Sequence, residues 1–267
     1  MLASQYISHG QGQTKALPVF LHGFLGSSLD WQACLPYLTS QHILCIDLPC
    51  HGQSRYCEVD SFEQSCDEIE ATILDQLAKQ GLPQTMPIIL VGYSLGGRLA
   101  MFGSASDACF NQINLQSVVV EGGNFGITDE VERQVRWEND QEWSMNFATQ
   151  AIDEVLCQWY EQSVFDSLTP AQRDFYIEQR CDNLGTQLAR MLCATSLAKQ
   201  PYLLDNIKSS EQSFYYICGE NDAKFLNLAQ NCGLEYVAVK DAGHNVHREQ
   251  PQAFAQLINR FIDSQIQ

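Results

Sequence analysis

Three side chains of this sequence can cooperate in proton transfer: Ser94, Asp222 and His244. Ser94 stands in Gly92-Tyr93-Ser94-Leu95-Gly96, the G-x-S-x-G pattern of a sharp turn that lifts a serine hydroxyl out at the end of a strand. The flanking glycines lack a Cβ and let neighbouring backbone pass closely. An unassisted serine hydroxyl is a poor nucleophile and a poor base, so it needs a partner to take its proton and a third group to orient that partner. His244, in Asp241-Ala242-Gly243-His244-Asn245, and Asp222, in Gly219-Glu220-Asn221-Asp222, supply both. Glu220 is the alternative acid and His247 the alternative base, while Asp241 reads as a turn residue. The backbone N–H of Leu95 would point at whatever Ser94 attacks or deprotonates. With the N–H of Phe24, in His22-Gly23-Phe24, it would form an oxyanion hole, each donor worth roughly 3–4 kcal/mol of barrier. His22 is expected to brace that loop and His51 to pack in its own, and His9 and His42 have no motif around them.

Such groups act only if strands and turns bring them together. The G-x-S-x-G pattern also arises by chance in glycine-bearing loops, so its setting carries the weight. Pro87 to Val91 is a continuous apolar run, as expected of a strand buried on both faces, and a helix begins at Leu95. Leu17–Leu21, His42–Ile46, Gln116–Val120, Phe214–Cys218 and Tyr236–Val239 read as further strands. Asp30 is placed to cap a helix through Leu38. Ser61 to about Lys79 carries helical periodicity with early acids, and Pro251 opens a closing helix to about Ile262. The alternation predicts an α/β fold with a mostly parallel, doubly wound sheet flanked by helices. From about Asn124 to Ser210 no convincing strand occurs. A parallel crossover needs only a dozen or more residues, so the expectation is a core of residues 1–123 and 211–267 with a helical cap inserted at 124–210. A thicker layer of packing helices is the plainer alternative. The insertion would lie near the C-terminal strand ends, where ligands bind in open α/β sheets.

Composition narrows the function classes. The 267 residues have 45% hydrophobic content and a net charge of −17, from 15 basic against 32 acidic residues. Such a surface repels nucleic acid and anionic membranes but leaves room for an anionic small substrate, because nearby groups set a pocket's local field. No apolar run approaches the roughly 18 residues of a membrane span, so no stable membrane insertion is expected. Met1 to Tyr6 lacks the basic start and apolar stretch of a signal peptide. The expected location is cytoplasmic and the expected state a monomer or weak homo-oligomer. The eleven cysteines are odd in number and form no C-x-x-C pair. They fit reduced, partly buried thiols, with neither a disulfide framework nor a metal site nor another cofactor expected.

With these pieces assembled, the chain resembles the α/β-hydrolase superfamily over essentially its whole length. The likeness rests on His22-Gly23-Phe24, Asp47-Leu48-Pro49-Cys50-His51-Gly52, Gly92-Tyr93-Ser94-Leu95-Gly96-Gly97, Gly219-Glu220-Asn221-Asp222 and Gly243-His244. The superfamily's order of serine, acid, then histidine is kept. One departure is Cys50, where a glycine is usual, which bears on the turn and not on the chemistry. Further blocks look like a narrower family, the 2-succinyl-6-hydroxy-2,4-cyclohexadiene-1-carboxylate synthases of menaquinone biosynthesis. They are Val91 to Arg98, Val120-Glu121-Gly122-Gly123, Trp159-Tyr160-Glu161-Gln162, Ala194 to Ala198 and Ala242 to Glu249.

That resemblance implies a lyase that expels pyruvate from a substrate bearing three carboxylates. Planar arginine forks suit such a ligand. Arg98 lies one turn into the helix after Ser94, and Arg136 and Arg180 match the family's cap arginines. Tyr93 and Trp159 match family positions at the pocket. Seven of the fifteen basic residues fall in the expected cap, of which Arg133, Arg173 and Arg190 read as surface ion pairs. The alternative activity is a serine esterase or thioesterase working through an acyl-Ser94 intermediate. A non-catalytic binding relative should lack part of the constellation, whereas here every part is present.

Overall fold

The computed structural model describes residues 1–9, 15–106 and 109–265. Seven strands, β1 (Ser4–Ser8), β2 (Leu17–Leu21), β3 (His42–Ile46), β4 (Pro87–Tyr93), β5 (Asn114–Glu121), β6 (Ser213–Gly219) and β7 (Tyr236–Val239), form one sheet. Their spatial order is β1-β3-β2-β4-β5-β6-β7. All neighbours are parallel except β1, which runs antiparallel along the edge against β3. β2 and most of β4 are fully buried, which is why they read as unbroken apolar runs. β1 was not expected from sequence. Its residues are half-buried or exposed and none is fully buried, as an edge strand allows, so they lack that run.

Helices cover both faces of the sheet. α1 (Phe62–Lys79) is capped by the Ser61 hydroxyl, which accepts from the Gln64 N–H. α2 (Leu95–Ala105) follows β4 directly. Two apolar clusters fill the space on either side. One includes Leu17, Val19 and Leu21 with Ile69, Ile73 and Leu99, the other Phe20, Ile89, Val91, Phe254 and Ile258. The expected helix from Asp30 to Leu38 is absent. In its place stand two 3₁₀ turns, Ser28–Trp31 and Leu35–Tyr37, the first capped by Ser27. Pro36 sits in the second turn, and Asp30 is drawn into a buried ion pair instead of a cap.

Between β5 and β6 the chain runs through α3 (Glu130–Thr149), α4 (Ile152–Trp159), α5 (Pro170–Arg180), α6 (Gly185–Ala194) and α7 (Leu204–Ser209). Phe147, Val155, Leu156, Tyr160 and Leu188 form an apolar cluster of their own there, which reaches the rest of the protein through Phe24 and Leu25. α8 (Ala223–Cys232) joins β6 to β7, and α9 (Val246–Glu249) and α10 (Pro251–Gln265) close the chain. Among the described residues no helix is long and apolar enough to cross a membrane.

Candidate active site

The turn after β4 is built by glycines. A Cβ on Gly92 would lie 2.5 Å from the backbone of Gly96 and Gly97, and one on Gly96 would lie 2.1 Å from the Leu21 carbonyl oxygen. Neither contact is possible for a larger residue, so strand, turn and helix close on one another. Ser94 between them takes φ 47 and ψ −106, a strained conformation for a non-glycine residue that costs on the order of 1–3 kcal/mol. The Ser94 N–H is held by the Glu121 carbonyl at 2.8 Å and the Gly96 N–H by the His22 carbonyl at 3.1 Å. The second bond draws the loop after β2 against the serine, where a Cβ on Gly23 would lie 3.5 Å from that of Ser94. Among the described residues neither the Phe24 nor the Leu95 amide donates to a backbone acceptor.

The His22 loop is braced as expected. His22 Nε2 accepts from the Leu48 N–H at 2.9 Å, so Nδ1 carries the proton and donates to the Gly23 carbonyl at 2.7 Å. His51 acts likewise, accepting from Leu25 N–H at 3.1 Å and donating to the Pro49 carbonyl at 2.8 Å. Burial, aided by His22, pushes the His51 pKa down to about 3, which keeps the ring neutral. Cys50 occupies its turn with φ +63, the left-handed region that glycine favours.

Asp222 and His244 come together from the ends of β6 and β7. The His244 Nδ1–H donates to Asp222 Oδ2 at 2.7 Å, so a neutral ring keeps its lone pair on Nε2. Asp222 Oδ1 caps α8 by accepting the Phe225 N–H at 3.2 Å, and the Phe225 ring stacks on His244 with centroids 4.7 Å apart. Glu249 grips the two amides beside His244, accepting from Gly243 at 2.9 Å and Asn245 at 3.2 Å. Glu220 is exposed. His247 is buried and spends its Nδ1–H and backbone N–H on Glu121. Its ring lies behind Tyr93, whose hydroxyl donates to Asn245.

Ser94, Asp222, His244 and Tyr93 line one cavity of about 530 Å3, together with Phe24, Arg136, Trp143 and Trp159. Trp159 packs at 5.1 Å from Phe24 and 5.0 Å from Trp143, forming an aromatic wall. The cavity continues past Leu95 into an arm of about 110 Å3 that reaches Arg98. Arg98 donates to the Thr195 carbonyl at 2.7 Å. Burial, and then the Arg136 charge, lower its pKa to about 9. Arg136 lies 2.8 Å from Asp140, which the Ser196 hydroxyl also meets at 2.6 Å.

Arg180 is elsewhere. Its Nη2 lies 2.8 Å from both Asp30 oxygens, and Arg180 lines a different cavity, beneath α5. Burial alone would lower the Arg180 pKa; the Asp30 carboxylate raises it above the ordinary value. The guanidinium is therefore committed to the protein and not presented to the Ser94 cavity. Arg133 pairs with exposed Glu130 at 3.8 Å, as expected, and also donates to the Ile127, Ala198 and Gln200 carbonyls. Arg190 does bridge Glu58 and Asp60 at the surface, and Arg173 faces Asp166 at 3.8 Å. Sequence reasoning missed Lys224, Trp143 and Glu249. Lys224 had a signal, lying two residues beyond Asp222 at the start of the helix that follows β6.

A model of the alpha/beta hydrolase family matches residues 19–257. The protein named 2-succinyl-6-hydroxy-2,4-cyclohexadiene-1-carboxylate synthase in Photorhabdus laumondii is 40% identical over 246 residues, 91% of this chain and 84% of that protein. One of the same name from Serratia proteamaculans is 38% identical, with 98% of each chain covered. Among solved structures, MenH from S. aureus superimposes with a TM-score of 0.87 at 23% identity, covering 100% of both chains. A thermophilic esterase from Thermogutta terrifontis reaches 0.80 at 17% identity, covering 100% of this chain and 94% of its own. At these identities the two structures speak for the fold alone.

Proposed function

The chain belongs to the alpha/beta hydrolase family, among relatives named 2-succinyl-6-hydroxy-2,4-cyclohexadiene-1-carboxylate synthase, and from that premise we propose that it is such a synthase in menaquinone biosynthesis. It eliminates pyruvate from 2-succinyl-5-enolpyruvyl-6-hydroxy-3-cyclohexene-1-carboxylate. The observation that carries the reading is the placement of Arg98 and Arg136 in the cavity that holds Ser94 and His244. A chain of net charge −17 has turned cations inward at its reactive serine, as a polycarboxylate requires.

In this reading His244, oriented by Asp222, draws the proton of Ser94, and the serine oxygen takes the ring proton beside the succinyl ketone. The electron pair left on carbon moves toward the ketone oxygen, which the Phe24 and Leu95 amides stabilise. A ring double bond then forms, the existing one shifts, and the C–O bond to the enolpyruvyl group breaks. The C–O electron pair leaves with oxygen, and the released enolate takes up at its terminal carbon the proton removed from the ring, becoming pyruvate. Arg98 and Arg136 hold carboxylates, Tyr93 and Trp159 shape the wall, and residues 124–210 act as a cap over the core. No acyl-Ser94 forms, which separates this path from ester or thioester hydrolysis.

The test supplies purified protein with the enolpyruvyl substrate and follows pyruvate together with the conjugated diene. Wild type should form both in equal amounts, and Ser94→Ala should lose the activity by roughly 10³-fold or more. Absence of both products, or near-normal release by Ser94→Ala, sinks the assignment. An acyl adduct trapped on Ser94 during turnover would favour the hydrolase instead.

A further inference from the structure

The arm beside Leu95 is chemically one-sided. Arg98, Arg136 and Lys224 line it, and among the described residues it is lined by no carboxylate. Arg136 and Lys224 stand at the junction and also line the wide chamber, where Asp140, Asp166 and Asp222 share the wall; Arg98 lines the arm alone. Arg98 and Arg136 each have an oxygen partner in the protein, whereas Lys224 has none among the described residues. It occupies the first turn of α8, where the helix dipole opposes positive charge. Its ammonium lies 5.5 Å over the Phe225 ring, and it forms no ion pair among the described residues. Lost hydration, and then the Arg136 charge, lower its pKa despite the attraction of Asp222 and Glu132. Lys224 is nonetheless exposed over more than a third of its surface, so its loss of hydration is partial and a soluble anion can reach it; an anion in the arm would offset the dipole and the Arg136 charge.

Size narrows the anion. About 110 Å3 is the share of roughly four water molecules, room for two methylenes and a carboxylate but not for a substituted ring. The chamber of about 530 Å3 can take the ring. The arm's walls include Leu192 and Leu197, apolar surface suited to methylenes. We propose that the arm is a specificity site for a short keto-acyl chain ending in a carboxylate, with Lys224 and Arg98 recognising that carboxylate. The ketone then lies at the Phe24 and Leu95 amides and the methylenes run past the leucines. This rests on the reading of the substrate as a succinylated ring, and it fixes which face of that ring meets Ser94.

The test titrates 4-oxopentanoate, which holds the ketone, two methylenes and carboxylate with only a methyl group beyond them, against the fluorescence of the full-length protein. Trp143 and Trp159 line the adjoining chamber and report occupancy. Lys224→Met should weaken binding by roughly tenfold to a hundredfold, the loss of a charge-assisted hydrogen bond. Lys224→Arg should stay within about threefold of wild type, because the site wants charge more than a fork. Methyl 4-oxopentanoate should bind wild type no better than Lys224→Met binds the acid. Equal binding of acid and ester, or an unchanged dissociation constant in Lys224→Met, overturns the proposal. With the enolpyruvyl substrate, Lys224→Met should raise KM by the same factor and move kcat little; the reverse split also overturns it. Wild type that forms no pyruvate, while the titration still separates acid from ester and Lys from Met, leaves the arm standing and removes only the assigned reaction.

Discussion

Arg180→Met should destabilise the protein by about 3 kcal/mol at neutral pH and leave turnover at Ser94 nearly unchanged. The Arg180 and Asp30 side chains are 9% and 4% exposed and meet at 2.8 Å. Removing one partner of a buried pair leaves an uncompensated charge, at a cost of about 3–5 kcal/mol. Arg248, 3.4 Å from Asp30, stays behind as a weaker partner and places the effect at the lower end. For a chain of this length about 1 kcal/mol moves Tm by roughly 2–4 °C, so the melting point should fall by roughly 6–12 °C. The pH dependence has a definite sign. Burial, the largest influence on Asp30, raises its pKa, yet Arg180 followed by Arg248 brings the net value below that of an ordinary carboxylate. A depressed native pKa contributes stability that is complete above the unfolded value, about 4, and is lost as pH falls through the native one. The gap between wild type and variant should therefore be full at pH 7 and narrow below about pH 4. Calorimetric melts across that range, with pyruvate release measured at neutral pH, check both halves. An unchanged Tm accompanied by a KM raised roughly tenfold or more would refute the argument and return Arg180 to the substrate.

Asp222→Asn keeps a good cap for α8 but offers His244 an amide in place of a carboxylate. The kcat should fall by roughly 10²–10⁴ with Tm moving only a few degrees, and a normal kcat would remove Asp222 from its orienting role. Cys50→Val should cost roughly 2–3 kcal/mol in urea unfolding, because a β-branched side chain resists the φ of +63 found there. Cys50→Gly relieves that strain but gives up a fully buried thiol, so it should stay within about 1 kcal/mol of wild type. Gly96→Ala would force a Cβ to 2.1 Å from the Leu21 carbonyl and should cost kcat roughly 10²-fold by shifting the serine turn against the Phe24 loop. A Gly96→Ala enzyme with wild-type kcat would mean that the turn is not the rigid part of the site.

Much of this protein was determined by sequence acting locally. Parallel strands buried on both faces must be apolar throughout, so β2, β3 and β4 declare themselves, and Ser61 ahead of an amphipathic run declares α1. The Ser94 turn is equally local, because only glycines tolerate the backbone approaches at positions 92 and 96. Edge strand β1 escaped, since one partner and an open face demand no apolar run. Charge roles escaped for a different reason. Nothing near Arg180 in the chain reveals that Asp30, 150 residues away, will neutralise it, nor that Lys224 will stand where the Ser94 chamber meets an arm with no carboxylate among its described lining residues. His244 and His247 sit three residues apart in one turn, yet Asp222 takes the first and a wholly buried Glu121 the second. Backbone conformation follows from what neighbours in sequence permit. The work of a charged or titratable side chain depends on which partner the fold sets against it, and that only the tertiary structure decided.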